Sequence, residues 1–151
     1  MVSIQNKAQI ENLLTSLDIH QKPVWGSMQP QQMIEHLSLS VKGSYLSKAQ
    51  LAVPEEKAIA LKQAFIYSDM ELPRGIKSSM YKDGELPPLR FASKDAAIEV
   101  LLKEIDAFYA FFEEHQERLT MNPVVGLLNL REWEVFHGKH FLHHFKQFQL
   151  I

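Results

Sequence analysis

The sequence predicts an all-α protein, and three observations carry that reading. Five segments place apolar residues at the i, i+3, i+4, i+7 spacing of an amphipathic helix. Prolines and glycines fall mainly between those segments, where helices must stop. The chain of 151 residues is 46% hydrophobic and 23% charged, without internal repeats or low-complexity tracts, as one globular domain over residues 1–151 would be.

The first helix is expected from about Ser3 to Leu17, with Ile10, Leu13, Leu14 and Leu17 on one face. A loop holding Pro23 and Gly26 ends it. Pro30 opens the second, since its missing N–H would be unpaired in a first turn anyway. Met33, Ile34, Leu37 and Val41 follow before Gly43 weakens it. The third starts near Pro54, with Glu55 and Glu56 suited to the positive end of the helix dipole, and runs to about Ser68.

Between 69 and 91 the chain cannot be one helix, because it holds Pro73, Gly75, Gly84, Pro87 and Pro88. Lys82-Asp83-Gly84-Glu85 has the chemistry of a turn that could close a small hairpin. A connection this long is either a binding loop over a site or an ordinary surface excursion. The fourth helix follows Ser93 as N-cap, its apolar stripe running from Ile98 through Leu101, Ile105 and Phe108 to Phe112. It ends before Asn122-Pro123, and the fifth runs from Asn129 or Leu130 to about Phe148.

Composition excludes several classes of function. The chain has no cysteine, which removes disulfides, thiolate metal sites and a cysteine nucleophile. The net charge of −2 lacks the basic footprint of a nucleic-acid binder, and Arg74, Lys77, Lys82 and Arg90 are confined to the irregular stretch. No run of 18 or more apolar residues exists to span a membrane. The N-terminal residues contain no apolar signal core, so a cytoplasmic location is expected.

The chemical interest lies in the last helix, where four of the seven histidines fall within eight residues: His137, His140, His143 and His144. At about 100° per residue, with His137 at 0°, His140 falls near 300° and His144 near 340°. Trp133, Phe141 and Phe148 share that arc, His143 lies at its margin near 240°, and Lys139 and Lys146 occupy the opposite face. His140 and His144 therefore point inward. A buried polar group without a partner costs about 1–3 kcal/mol, so each ring needs something to bind. Side chains at i and i+4 can share one divalent ion. His137 and His144 lie about 10.5 Å apart along the axis, too far to chelate together. His36, at the edge of the second helix's apolar stripe beside Gln32 and Ser40, is the natural third ligand.

Three neutral imidazoles would leave a position open for water or substrate. Histidines at this spacing also hydrogen-bond within cores or sit at rims without any metal. A carboxylate-bridged di-iron site would want two Glu-x-x-His motifs, and only Glu134-Val-Phe-His137 occurs.

Trp25-Gly26-Ser27-Met28-Gln29-Pro30-Gln31-Gln32-Met33-Ile34-Glu35-His36-Leu37 resembles the segment that opens the second helix of the DinB-like superfamily. The stretch from Trp133 through Lys139-His140-Phe141-Leu142-His143-His144-Phe145-Lys146-Gln147-Phe148 resembles its last helix, closest to a branch known only as a domain of unknown function. The resemblance covers nearly the whole chain. It implies a DinB-like four-helix bundle, often dimeric, here with an additional short helix and the irregular connection at about 69–91. It also implies a zinc or nickel site built from His36, His140 and His144. Characterised relatives include thiol-dependent S-transferases and a maleylpyruvate isomerase that uses a low-molecular-weight thiol. One departure stands out: the branch commonly has a His-Pro step where this chain has Asn122-Pro123.

Two functions follow as expectations. One is a metal-dependent hydrolase or thiol transferase acting on a small molecule, with Glu35, His143 and Gln147 as candidates to support the ligands. The other is a non-catalytic ligand-binding or dimerisation bundle whose histidines are core or rim residues.

Overall fold

The computed structural model describes residues 2–46, 48–75 and 85–151. Among the described residues five helices form: α1 (Lys7–Ser16), α2 (Pro30–Leu46), α3 (Glu55–Ile66), α4 (Lys94–Glu114) and α5 (Leu130–Gln147). None is long and apolar enough to cross a membrane. The main helix pairs are α2 with α4, α1 with α4, α2 with α5 and α3 with α5. The residues buried at their junction include Ile10, Leu14, Met33, Leu37, Leu101, Ile105, Phe108, Phe141 and Phe145, from the inward stripes of α1, α2, α4 and α5.

The caps explain where helices begin. Asn6 accepts from Gln9 N at 3.2 Å, so α1 starts at Lys7 rather than at Ser3. Gln32 Oε1 accepts from Gln29 N at 2.9 Å and satisfies a donor ahead of Pro30. Ser93 caps α4 through Ala96 N as the sequence predicts. α5 opens on a full capping box between Asn129 and Glu132.

Two features depart from the all-helical expectation. Thr120–Asn122 (β1) pairs antiparallel with Gly126–Leu128 (β2), Asn122 opposite Gly126. Asn122 Oδ1 accepts from Val124 N at 2.9 Å and Val125 N at 3.2 Å, and Gly126 takes φ +84°. The Asn-Pro step thus nucleates a tight hairpin rather than merely ending a helix. Trp133 Nε1 donates to Thr120 Oγ1 (2.7 Å) and Thr120 Oγ1 to Ser44 O (2.6 Å), which ties the hairpin to α5 and α2.

The second departure is Lys139. Helical phase sets it on the face opposite the histidines, yet it is buried. α3 and the chain after it lie across that face, and the Lys139 ammonium donates to Phe65 O (2.6 Å), Ser68 O (2.6 Å) and Met70 O (2.9 Å). It satisfies the carbonyls left open where α3 stops. Both sides of α5 are therefore covered.

The described parts of the 69–91 connection contain no helix or strand. Lys82, Asp83 and Gly84, the candidate hairpin turn, lie outside the described residues. Residues 87–91 are strapped onto α2. Gln32 Nε2 donates to Pro87 O at 2.9 Å and Gln31 Nε2 to Phe91 O at 2.8 Å. The Glu35 carboxylate accepts from Arg90 N at 2.8 Å and Phe91 N at 3.1 Å.

Candidate metal centre

α2 and α5 bring His36, His140 and His144 to one point. His140 Nε2 lies 2.9 Å from His36 Nε2 and 3.1 Å from His144 Nε2. The three rings pack edge to face, with centroids 4.8 to 4.9 Å apart. One nitrogen from each ring lies within 4.8 Å of the others, a set able to hold a metal ion. His140 and His144 are buried, and His36 is partly exposed at the edge of α2.

The tautomer of His144 follows from its neighbours. Trp25 O can only accept, so the Gln147 amide nitrogen faces it at 2.8 Å, and Gln147 Oε1 faces His144 Nδ1, also at 2.8 Å. His144 therefore carries its proton on Nδ1 and presents a bare Nε2 to the cluster. Protonating the rings further is opposed. Burial, with neighbouring imidazoles adding to it, lowers His36 to about 4 and His144 to about 3. It also pushes His140 well below the usual histidine range.

Neutral rings cannot serve both contacts well on their own. A single N–H at His140 Nε2 must be shared between two facing nitrogens, and without it lone pairs confront one another. A cation accepts all three lone pairs at once. A tetrahedral zinc, with Zn–N of about 2.0–2.1 Å, holds its nitrogens about 3.3 Å apart, close to the 2.9 and 3.1 Å that separate His140 Nε2 from the other two rings. The residues thus fit a divalent ion on donor type, protonation and spacing.

Of the three candidate supporting residues, Gln147 is the one that hydrogen-bonds a ring of the cluster. His143 donates from Nδ1 to Leu72 O at 3.1 Å and packs its ring edge against His144 and Trp25. Glu35 is buried, and its described carboxylate partners are Gln31, Arg90 and Phe91. It holds the strap in place.

Sequence reading places His137 in the histidine run, less well placed than His144 to pair with His140, and gives it no role. It is fully buried, stacks on Trp133 at 5.2 Å, and neither ring nitrogen has a hydrogen-bond partner among the described residues. Burial lowers it to about 3. Its position at 0° on the inward arc was the available signal. His140 Nδ1 is likewise buried without a partner among the described residues.

A cavity of about 420 Å³ opens beside His36, walled by Leu39 and Gly43 of α2, Trp133 and Phe136 of α5, and the Pro87-Pro88 step. Asn122, which stands where the resembling branch has histidine, lies in the same wall with its side-chain oxygen held by the hairpin turn.

A family model described as protein of unknown function (DUF1569) matches residues 3–150. No curated protein and no solved structure matches the chain.

Proposed function

The chain belongs to the DUF1569 family, whose description carries no chemistry, and from that premise we propose that it is a divalent-metal-binding protein. The ion, zinc or nickel as the DinB-like resemblance implies and as imidazole donors allow, is held by His36, His140 and His144. The observation that carries this reading is the convergence of three neutral imidazole nitrogens, two of the spacings being 2.9 and 3.1 Å. A DinB-like four-helix bundle with one additional helix accords with the helix pairs and with the resemblance of the α2 and α5 segments.

When bound, such an ion supplies Lewis acidity that lowers the pKa of water or a low-molecular-weight thiol, the chemistry shared by hydrolases and thiol S-transferases. The chain's own residues do the rest. Gln147 fixes the His144 tautomer, and the cavity beside His36 admits a small-molecule substrate while its apolar walls limit water.

Metal analysis of the purified protein beside a His140→Ala/His144→Ala variant tests the reading. About one equivalent is expected in the parent and none in the variant. Equal content in both overturns it. The cavity also favours a second reading, a non-catalytic ligand-binding protein with no resident ion. That reading predicts a melting temperature indifferent to chelators.

A further inference from the structure

Gly43 sits inside α2, where glycine weakens a helix relative to alanine. Glycine is usually retained in such a place for a left-handed backbone or a close approach. Neither applies: its φ is not positive, and an added Cβ would meet nothing within 4 Å. The space beside it is the cavity, which Gly43 helps to wall. His36, Ser40 and Gly43 recur at i, i+4, i+7, so they lie along one line of α2, with Gly43 about 10.5 Å beyond His36.

Apart from the Ser40 hydroxyl, the walls along that line offer little to a polar ligand. Pro87 and Pro88 have no N–H to donate. Trp133 Nε1 is already committed to Thr120. The two charged side chains in the wall, Glu35 and Arg90, pair with each other, Arg90 Nε lying 3.6 Å from Glu35 Oε2. Two further polar wall residues are Gln32, its amide bonded to Pro87 O and Gln29 N, and Asn122, its side-chain oxygen held by the hairpin turn. One end of the cavity is therefore lined by His36, the partly exposed member of the three-histidine cluster, and the remainder is a mainly apolar slot beside Gly43.

We infer that the ligand of this site is a small molecule with an uncharged, apolar body. The body lies along α2 from His36 to Gly43, and a polar, metal-seeking end faces the three-histidine cluster. The inference deepens the metal-site reading and rests on it. Gly43 is the residue that sets the length of body accepted.

The test is calorimetric titration of the zinc-loaded protein with two hydroxamates, acetohydroxamate and benzohydroxamate, which share one zinc-binding group and differ in apolar body. Zinc content is measured first. Benzohydroxamate is expected to bind about tenfold tighter or more, because its ring leaves water for the slot. In Gly43→Leu, which fills the slot, that advantage is expected to vanish while zinc content and acetohydroxamate affinity stay as they were. Gly43→Ala, a smaller change at a helical position, is expected to keep a reduced advantage.

Equal affinities in the parent protein, with zinc bound, overturn the slot and leave the metal site standing. An advantage that survives intact in Gly43→Leu overturns the assignment to Gly43. A parent protein that takes up no zinc overturns the metal reading itself, and this inference with it, before any hydroxamate is added.

Discussion

His144 donates its Nδ1 proton to Gln147 Oε1 across 2.8 Å, one turn from the end of α5, and that bond decides which nitrogen the ring offers to His140 and His36. The Gln147 amide is itself anchored to the Trp25 carbonyl, so the α1–α2 loop reaches the three-histidine cluster through two hydrogen bonds. Gly26 makes room for this. It takes φ +75°, and a Cβ there would come within 3.1 Å of Gln147 Nε2.

Gln147→Leu is expected to weaken zinc binding about 10- to 100-fold, the usual effect of removing a partner that orients a ligating imidazole. Competition with a chromophoric chelator measures it, and an unchanged affinity would show that His144 needs no such anchor. Gly26→Ala is expected to cost about 1–3 kcal/mol of stability through its left-handed backbone, and to weaken zinc binding in the same direction by displacing Gln147.

Metal should stabilise the fold by mass action. At free zinc about 100 times the dissociation constant, the gain is about 2.7 kcal/mol. For a chain of this size that is a rise of roughly 5–10 °C in melting temperature. Thermal melts with zinc and with chelator check this, and the His140→Ala/His144→Ala variant should show no difference between the two.

The metal-free protein should lose stability in mild acid. His36 is lowered to about 4, and His137 and His144 to about 3, by burial, whereas the unfolded chain titrates near 6.5. Between those values the unfolded state binds more protons than the folded one, so stability rises with pH. It is fully present above about 6.5 and is lost as pH falls toward 3–4. Each such histidine contributes up to about 1.4 kcal/mol per pH unit within its window. Denaturant midpoints at pH 7, 6, 5 and 4 should fall steadily, and His137→Leu should flatten the slope without removing it.

Glu35 separates strap from metal. Glu35→Ala would leave the Arg90 and Phe91 amides without their carboxylate acceptor, a loss of about 1–3 kcal/mol for each donor left buried, while the Arg90 guanidinium keeps the residue-35 carbonyl. Protease cleavage should appear near 85–91. Zinc content of the surviving folded protein should be unchanged, because Glu35 bonds none of the three histidines among its described partners. A parallel fall in zinc content would assign it a supporting role after all.

Gly43→Ala is expected to raise stability by about 0.5–1 kcal/mol, since alanine is the better helix former and meets no neighbour there. Chemical denaturation measures the gain, and a loss would mean that the helix needs glycine at this point.

The amino-acid order alone determined the helices, the Ser93 cap and the inward phase of His140 and His144, because these rest on contacts no more than four residues apart. Only the tertiary structure decided the rest. The hairpin at Asn122–Gly126 depends on a side-chain turn too short to leave a periodic trace. Lys139 phases to the outer face of α5 and is buried because α3 ends against it. His36 meets its partners across 104 residues of chain, and no local pattern records which helices pack together. Periodicity tells which way a side chain points from its own axis; what stands opposite is settled by packing.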